Sequence, residues 1–301
     1  MADAPVPENE TPDFKLFSFQ DFNLISGMHF PDEVEQIKNW EIRDSDVFLL
    51  SYPKSGTTWM QQILSMIEAK GDITATSNQL ISQRVPWIEI LHDKEKFTTA
   101  ASPRLRTSHL PYKLLPRELT KKRGKVIYVA RNPKDVLVSY FHFHNFAAML
   151  ETPKDFNDFF EKFMEGKVFA SNWFEHIKTW YLHRHEMDFL YVTYEEMIQD
   201  LRAVVERICC FLGKDLSSSQ MDNVVMHCTF ESMSKDSSVN QKRVPETFLN
   251  HQKGTFMRKG TVGDWKTHFT VAQSERFDRM FQEEMKDVPL RFVWDIKDLL
   301  T

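Results

Sequence analysis

Three short apolar runs in this chain each end in a turn and then give way to an amphipathic helix, and that repetition narrows the possible folds more than any other feature. Asp46–Tyr52 (DVFLLSY) stops at Pro53, and after a Ser-Gly-Thr-Thr turn Met60, Ile63, Leu64 and Ile67 recur at helical spacing. Lys125–Ala130 (KVIYVA) leads into Arg131-Asn132-Pro133, with Pro133 suited to a first helical position, and Val136, Leu137, Tyr140 and Phe141 then form a helical stripe. Phe189–Thr193 (FLYVT) precedes a helix bearing Leu201, Val204, Val205, Ile208 and Leu212 that closes near Gly213. Strands alternating with helices predict an α/β fold: a central, mostly parallel sheet flanked by helices on both faces.

Further helices follow from the same periodicity. One starts at Thr152-Pro153 with Phe156, Phe159, Phe160 and Phe163 and ends at Gly166, and Trp173, Ile177, Trp180 and Tyr181 mark another. Thr270-x-x-Gln273 is a capping-box start for a helix with Phe277, Met280, Phe281 and Met285. Lys235–Gly254 is polar and aperiodic, which predicts a long surface loop and a candidate lid. No fixed-period repeat and no sharp compositional break divides the chain. With 301 residues, 42% of them hydrophobic, there is enough apolar material for one large core. The expectation is a flexible tail over 1–18 and a single domain over 19–301.

Charge and cysteine content exclude several classes. The formal charge, 38 − 43 = −5, argues against general nucleic-acid binding while leaving room for a local basic pocket. No apolar run approaches the length of a membrane span. The start, MADAPVPENETPDF, is acidic and Pro-rich, without the basic and apolar regions of a secretion signal, so its Asn9-Glu10-Thr11 acceptor pattern carries no weight. Of three cysteines, Cys209 and Cys210 are adjacent on a helical pattern and Cys228 is alone, which suggests neither a zinc set nor a disulfide framework. A reduced, cytoplasmic location is expected.

The turn after the first strand carries the chemistry. SYPKSGTTW (51–59) resembles a phosphate-binding loop, but Lys54 precedes Gly56 instead of following it. A turn between a buried strand and a helix aims free backbone N–H groups outward, and the helix dipole adds partial positive charge, so an anion fits there. Ser55, Thr57 and Thr58 add hydroxyl donors, and Lys54 can reach over the bound group. An ATP kinase needs its lysine at position 57 and an aspartate at a strand end to hold Mg²⁺. KVIYVA is followed instead by Arg131, a second anion clamp. The residues therefore ask for a ligand with two anionic groups and no metal.

At this point the chain resembles a family. YPKSGTTW, RNPKDVLVSY and RKGTVGDWKTHFT together are similar to the cytosolic sulfotransferases, in the same order and spacing, from about Phe19 to the C-terminus. The ending RFVWD and the stretch RVPWIE resemble the amine-sulfating branch more than the phenol or steroid branches. The resemblance implies 3′-phosphoadenosine 5′-phosphosulfate as co-substrate, adenosine 3′,5′-bisphosphate (PAP) as product, and no metal.

Residue by residue, it implies that Lys54, Ser55, Gly56, Thr57, Thr58 and Trp59 hold the 5′-phosphate and that Arg131 and Ser139 hold the 3′-phosphate. Phe256, Met257, Arg258, Lys259 and Gly260 complete the 3′-phosphate cradle. Trp59 and Phe230 stack the adenine and Tyr194 hydrogen-bonds it, within a site lined by Cys228, Thr229, Phe230 and Met233. Cys228 stands where the family usually has a hydroxyl residue. His109, in SHLPYKLLP, is the implied general base, and it competes with His142 and His144 of FHFHN. Two residues apart, those two share no helix face. Ser139 is expected to restrain Lys54 until the acceptor binds. Trp87, Phe143 and His109 are assigned to the acceptor pocket, with Arg84–Trp87 and Tyr140–Phe146 as its surroundings. Thr107-Ser108-His109 lacks the lysine of the phenol branch, so leaving-group stabilisation falls on Lys54 and the helix N-terminus. Lys266, Thr270, Val271 and Glu275 resemble the family's short dimer motif and imply a homodimer.

The expected activity is transfer of a sulfuryl group to a hydroxyl or amine of a small hydrophobic acceptor such as a phenol, alcohol, steroid or arylamine, a chemistry of xenobiotic metabolism. The alternatives are a P-loop nucleotide kinase and a catalytically silent nucleotide-binding module.

Overall fold

The computed structural model describes residues 13–90 and 94–299. The start of the chain up to residue 12, including Asn9–Thr11, lies outside the described residues.

The chain opens with an antiparallel hairpin, β1 (Leu16–Phe19) against β2 (Phe22–Ile25). Its two turn residues, Gln20 (φ 50°) and Asp21 (φ 57°), are both left-handed, as the tightest hairpin turns require. The expected tail boundary at residue 18 therefore falls inside a strand. A four-residue strand with no glycine in its turn leaves little trace in sequence, yet Phe17 and Phe19 pack against the main core.

Then follow α1 (Pro31–Ile37), β3 (Val47–Ser51), α2 (Thr57–Glu68), α3 (Ile81–Arg84), α4 (Lys94–Thr99), β4 (Leu105–Ser108) and β5 (Lys125–Ala130). Next come α5 (Pro133–His144), α6 (Phe156–Met164), α7 (Trp173–Leu182), β6 (Phe189–Thr193) and α8 (Tyr194–Gln199). The chain continues through α9 (Leu201–Leu212), α10 (Ser218–His227), α11 (Phe230–Lys235) and α12 (Val271–Glu284).

Four strands form one sheet in the order β4-β3-β5-β6, every neighbouring pair parallel. This is the α/β fold expected. Successive strand residues face opposite sides, so the sheet divides the core in two. Phe48, Leu50, Tyr52, Val126 and Tyr128 join one apolar cluster with Tyr140, Phe159, Trp173 and Trp180 of α5, α6 and α7. Val47, Leu49, Ile127 and Val129 join the other with Met60, Ile63 and Leu64 of α2 and Val204, Val205 and Ile208 of α9. Burying each such side chain is worth about 1.5–3 kcal/mol, which is why strands covered on both faces read as unbroken apolar runs.

Register decides what meets at the carboxyl edge of the sheet. Leu50 pairs with Ser108, Ser51 with Val129, and Ala130 with Thr193. All four strands thus end at nearly one level. Just past those ends come Lys54, His109, Arg131 and Tyr194. Open parallel sheets place their ligands at that edge.

Lys235–Gly254, expected to be a loop, contains turns and one isolated bridge, Ala147 to Leu249. It contributes Gln241, Val244 and Leu249 to the wall of the main cavity.

Candidate active site

The loop after β3 forms one end of a cavity of about 340 Å³. Gly56 is the N-cap of α2, with φ 103° and no side-chain cap, so the first N–H groups of α2 have no intrahelical partner. A Cβ at Gly56 would lie 2.8 Å from Cδ2 of Tyr194, so glycine is required there for space as well as for conformation. Lys54 is itself left-handed, at φ 68°. Its carbonyl accepts from Nη1 of Arg131 at 3.3 Å, which ties the loop to the end of β5. Thr57 turns its hydroxyl to that of Ser51, at 2.7 Å. Ser55 is buried with an unpartnered hydroxyl and, unlike Lys54, Gly56, Thr57, Thr58 and Trp59, does not line the cavity.

Lys54 Nζ lies between two aromatic faces, 4.2 Å from the ring of Phe143 and 4.1 Å from that of Phe256. Burial, reinforced by the charges of Arg131 and Arg258, pulls its ammonium down to about 7. Among the described residues no hydrogen bond joins Ser139, expected to restrain Lys54, to that ammonium, which the two rings flank. Ser139 lines the same cavity from α5.

Three more cations, Arg131, Arg258 and Lys259, line the same cavity beside the loop. Arg131 is nearly buried and donates from Nη2 to the carbonyl of Thr261 at 3.0 Å, while its Nε has no partner. Its guanidinium lies over the ring of Tyr194, 4.1 Å from the centroid. Arg258 and Lys259 both pair with Asp264, the lysine at 2.5 Å. Burial opposes ionisation of Asp264, but hydrogen bonds from Lys259 and Arg258 hold its carboxyl down at about 2. This segment is fastened to the start of α5 by Asp135, whose carboxylate accepts from the N–H of Gly263 at 2.8 Å and of Trp265 at 3.0 Å. Asn132 caps α5, and the buried Glu195 in turn accepts from the Asn132 N–H at 2.8 Å.

Aromatic residues line the same cavity. Trp59 and Tyr194 meet edge to face with centroids 5.4 Å apart, and Trp59 Nε1 donates to the Cys228 carbonyl at 2.7 Å. Phe230 and Met233 line the cavity, and Phe230 lies so close to Gly260 that a Cβ there would stand 2.3 Å from its ring. Cys228 and Thr229 do not line it: the Cys228 side chain is fully buried, and the Thr229 hydroxyl caps α11. Their contribution is to position Trp59 and Phe230. Met257 lines the cavity with Phe256 and Gly260.

His109 follows β4 and reaches across to β3. Its Nδ1 donates to the Ser51 carbonyl at 2.6 Å, leaving Nε2 as the neutral acceptor nitrogen. The His109 carbonyl accepts from Nε2 of His176 at 3.0 Å, and the Tyr128 hydroxyl donates to Nδ1 of His176 at 2.8 Å. Burial, with minor repulsion from His176 and Lys54, pulls the His109 imidazole down to about 3. His142 and His144 do not compete for this place. His142 meets His268, Nε2 to Nε2 at 2.9 Å, and His144 binds the Glu151 carbonyl from Nδ1 at 2.8 Å.

Trp87 lies tilted against His109, 4.5 Å between centroids, and Tyr140 and Phe143 line the same cavity. Phe141 packs among Phe156 and Phe159, Phe146 belongs to a small separate cluster, and Arg84 binds Gln62 and Ser65 instead of the cavity. Sequence reasoning singled out neither Glu89 nor Asp264, which also line the cavity. Both signals were in view: an acid inside the apolar stretch RVPWIEI, and one beside the basic pair in RKGTVGD.

Among the described residues no group of three or more His, Cys, Asp or Glu is placed to hold a metal, and no helix is long and apolar enough to cross a membrane. A phosphate-binding helix start with Lys54, three further cations, a group of aromatic rings and a neutral histidine, all lining one cavity, are the parts of a nucleotide-dependent group transferase. The sulfotransferase-domain family model matches residues 44–289. The chain is 48% identical over 285 residues to the amine sulfotransferase of Oryctolagus cuniculus, covering 94% of this chain and 95% of that protein. It is 40% identical to sulfotransferase 2B1 of Mus musculus, covering 94% and 84%. A retinol dehydratase structure in complex with retinol and PAP superposes with a TM-score of 0.82 at 26% identity, over 94% of this chain and 93% of that one. The chain belongs to the sulfotransferase family, which decides against the nucleotide kinase.

Proposed function

We propose that this enzyme transfers a sulfuryl group from 3′-phosphoadenosine 5′-phosphosulfate to a hydroxyl or amine of a small hydrophobic acceptor. The observation that carries the proposal is one cavity lined by the open end of α2 with Lys54, by Arg131, Arg258 and Lys259, and by Trp59, Tyr194 and Phe230, with the buried Arg131 Nε left unpartnered. Such a set of anion-binding groups matches a nucleotide carrying two phosphates. The open amides of α2, with Lys54 and Thr58, take the 5′ side. Arg131, Ser139, Arg258 and Lys259 take the 3′-phosphate, which displaces the Asp264 carboxylate from the two cations. Trp59, Tyr194 and Phe230 hold the base.

The acceptor sits against Trp87, Phe143 and His109. Its oxygen or nitrogen forms a bond to sulfur while the bond from sulfur to the 5′-phosphate oxygen breaks, and the proton passes to Nε2 of His109. Lys54 balances the charge that develops on the departing oxygen. The mostly apolar lining suits a hydrophobic acceptor, and the likeness to an amine sulfotransferase supports amines among them.

Labelled donor supplied with a panel of phenols, alcohols and amines, without added metal, tests the reading. Label is expected in the acceptor; none in any acceptor would leave a silent nucleotide-binding module. In keeping with this role, the chain from β1 at Leu16 onward is read as one domain and the protein is taken to be cytoplasmic, as a homodimer joined through Lys266, Thr270, Val271 and Glu275. Val271 supports the last point, standing 76% exposed at the start of α12.

A further inference from the structure

Arg258 and Lys259 belong to no helix or strand, so what they reach depends on what their segment is bonded to. Asp135, in the first turn of α5, supplies those bonds. Its Oδ2 accepts from the Gly263 N–H at 2.8 Å and its Oδ1 from the Trp265 N–H at 3.0 Å. Gly263 is left-handed, at φ 90°, and the two N–H groups converge on one carboxylate. Between them in sequence stands Asp264, which pairs with both Arg258 and Lys259. Two residues just before Asp135 reinforce the joint. Arg131 donates to the Thr261 carbonyl at 3.0 Å, and Lys134 Nζ lies 4.2 Å from the centroid of the Trp265 ring.

Asp135 is buried and does not line the cavity, although Arg131, Arg258, Lys259 and Asp264 all do. By charge alone it opposes an incoming phosphate. Its Oδ2 lies 3.9 Å from Nη2 of Arg131, and an anion there competes for that cation. Its hydrogen bonds act the other way. They hold the far segment against α5 before any ligand arrives, so a phosphate does not have to order Arg258 and Lys259 at its own cost. The two effects have opposite signs, and a single variant separates them. Asparagine keeps the volume and drops the charge. It offers one acceptor oxygen where the carboxylate serves the N–H groups of Gly263 and Trp265 and Nδ2 of Asn132.

We propose that Asp135 is a positioning residue for the 3′-phosphate: it keeps Arg258 and Lys259 in the cavity that Arg131 lines, and so makes the site favour a nucleotide with a 3′-phosphate over one without. The inference rests on the nucleotide reading above and extends it to a residue that touches neither nucleotide nor acceptor. The 5′ side is built by Lys54 and the open start of α2, on a different strand–helix unit, so a loss at Asp135 falls on the 3′-phosphate.

Calorimetry with PAP and with 5′-AMP on Asp135→Asn tests this. Losing a buried hydrogen bond to a charged acceptor is worth about tenfold or more. PAP affinity is expected to fall by about tenfold or more while 5′-AMP affinity stays within about twofold, so the ratio of the two falls with it. If Asp135 acted by its charge, PAP would bind the variant more tightly. If it only stabilised the fold, the melting temperature would drop with the ratio unchanged. Either result overturns the proposal. Should the variant not fold, hydrogen exchange in the nucleotide-free wild type decides. The Gly263 and Trp265 amides are expected to exchange at least about tenfold more slowly than unbonded loop amides, and exchange at the open-loop rate overturns the proposal. Failure of the wild type to bind PAP would instead remove the nucleotide reading itself, and this inference with it.

Discussion

His109 Nδ1 donates to the carbonyl oxygen of Ser51 at 2.6 Å, one strand over. A carbonyl can only accept, so the tautomer is settled, and the basic Nε2 is turned toward the cavity. The bond exists because β3 and β4 are parallel and in a register that sets Leu50 beside Ser108. His109→Ala is expected to lower kcat by about 10²–10⁴-fold, the usual contribution of a positioned general base. PAP affinity, measured by calorimetry, should stay within about twofold. Near-normal turnover would remove His109 from the role of base.

Nucleotide binding should depend on pH through Lys54. In the free protein its ammonium loses its proton near 7, because burial and then the charges of Arg131 and Arg258 disfavour the cation. A bound phosphate favours the cation, so binding takes up a proton. PAP affinity is therefore expected to be highest below about pH 7 and to weaken as pH rises through that value. Lys54→Met should flatten that slope, and it should lower turnover more than PAP affinity. For stability the sign is reversed. A lysine depressed in the folded state binds fewer protons there than when unfolded, so its contribution to stability rises with pH from about 7 to the ordinary lysine value. By contrast, His109, already neutral above about 3, should add no inflection near 6.5 to a kcat profile.

Arg258 is held by Asp264 and lies in the proposed 3′-phosphate cradle. Arg258→Ala should cost about 1.5–3 kcal/mol of PAP binding, the value of a charge-assisted hydrogen bond. Binding of 5′-AMP, which lacks the 3′-phosphate, should change little. Equal losses for the two nucleotides would place Arg258 elsewhere.

Gly56→Ala puts a Cβ 2.8 Å from Tyr194 on a backbone at φ 103°. A loss of about 1–3 kcal/mol in stability is expected from the conformation alone. PAP affinity should fall with it, because relieving the clash must move the loop or Tyr194. A thermal melt with and without PAP reads both effects, and an unchanged melt with unchanged affinity would contradict the geometry.

Val271→Glu places a charge on the exposed start of α12. If the short motif joins two copies, light scattering at micromolar concentration should show dimers for the wild type and monomers for the variant, with turnover per chain retained. A monomeric wild type would count against the homodimer.

Much of this was legible in the residues. β3, β5 and β6 announced themselves because a sheet covered on both faces leaves apolar runs, and the turns after them displayed Lys54, Gly56 and Arg131 in plain order. β4 did not. LRTS is short and half polar, and it is buried only because β3 on one side and Pro86–Ile88 on the other complete its hydrogen bonds. The β1–β2 hairpin was missed for a similar reason, its turn using Gln20 and Asp21 where glycine or asparagine would have given a signal.

Local sequence by itself determined the alternation of strand and helix, the phosphate-binding turn and the supply of cations, since these depend on periodicity, turn chemistry and charge within a few residues. Only the tertiary structure decided which of them act together. It set the Lys54 ammonium between Phe143 and Phe256, paired Arg258 and Lys259 with Asp264, turned Cys228 and Thr229 away, and bonded the Glu89 carboxylate to the backbone N–H of His109. Burial and partner choice come from chain segments dozens to hundreds of residues apart, and strand register, which no short stretch encodes, is what brings them to one edge of the sheet.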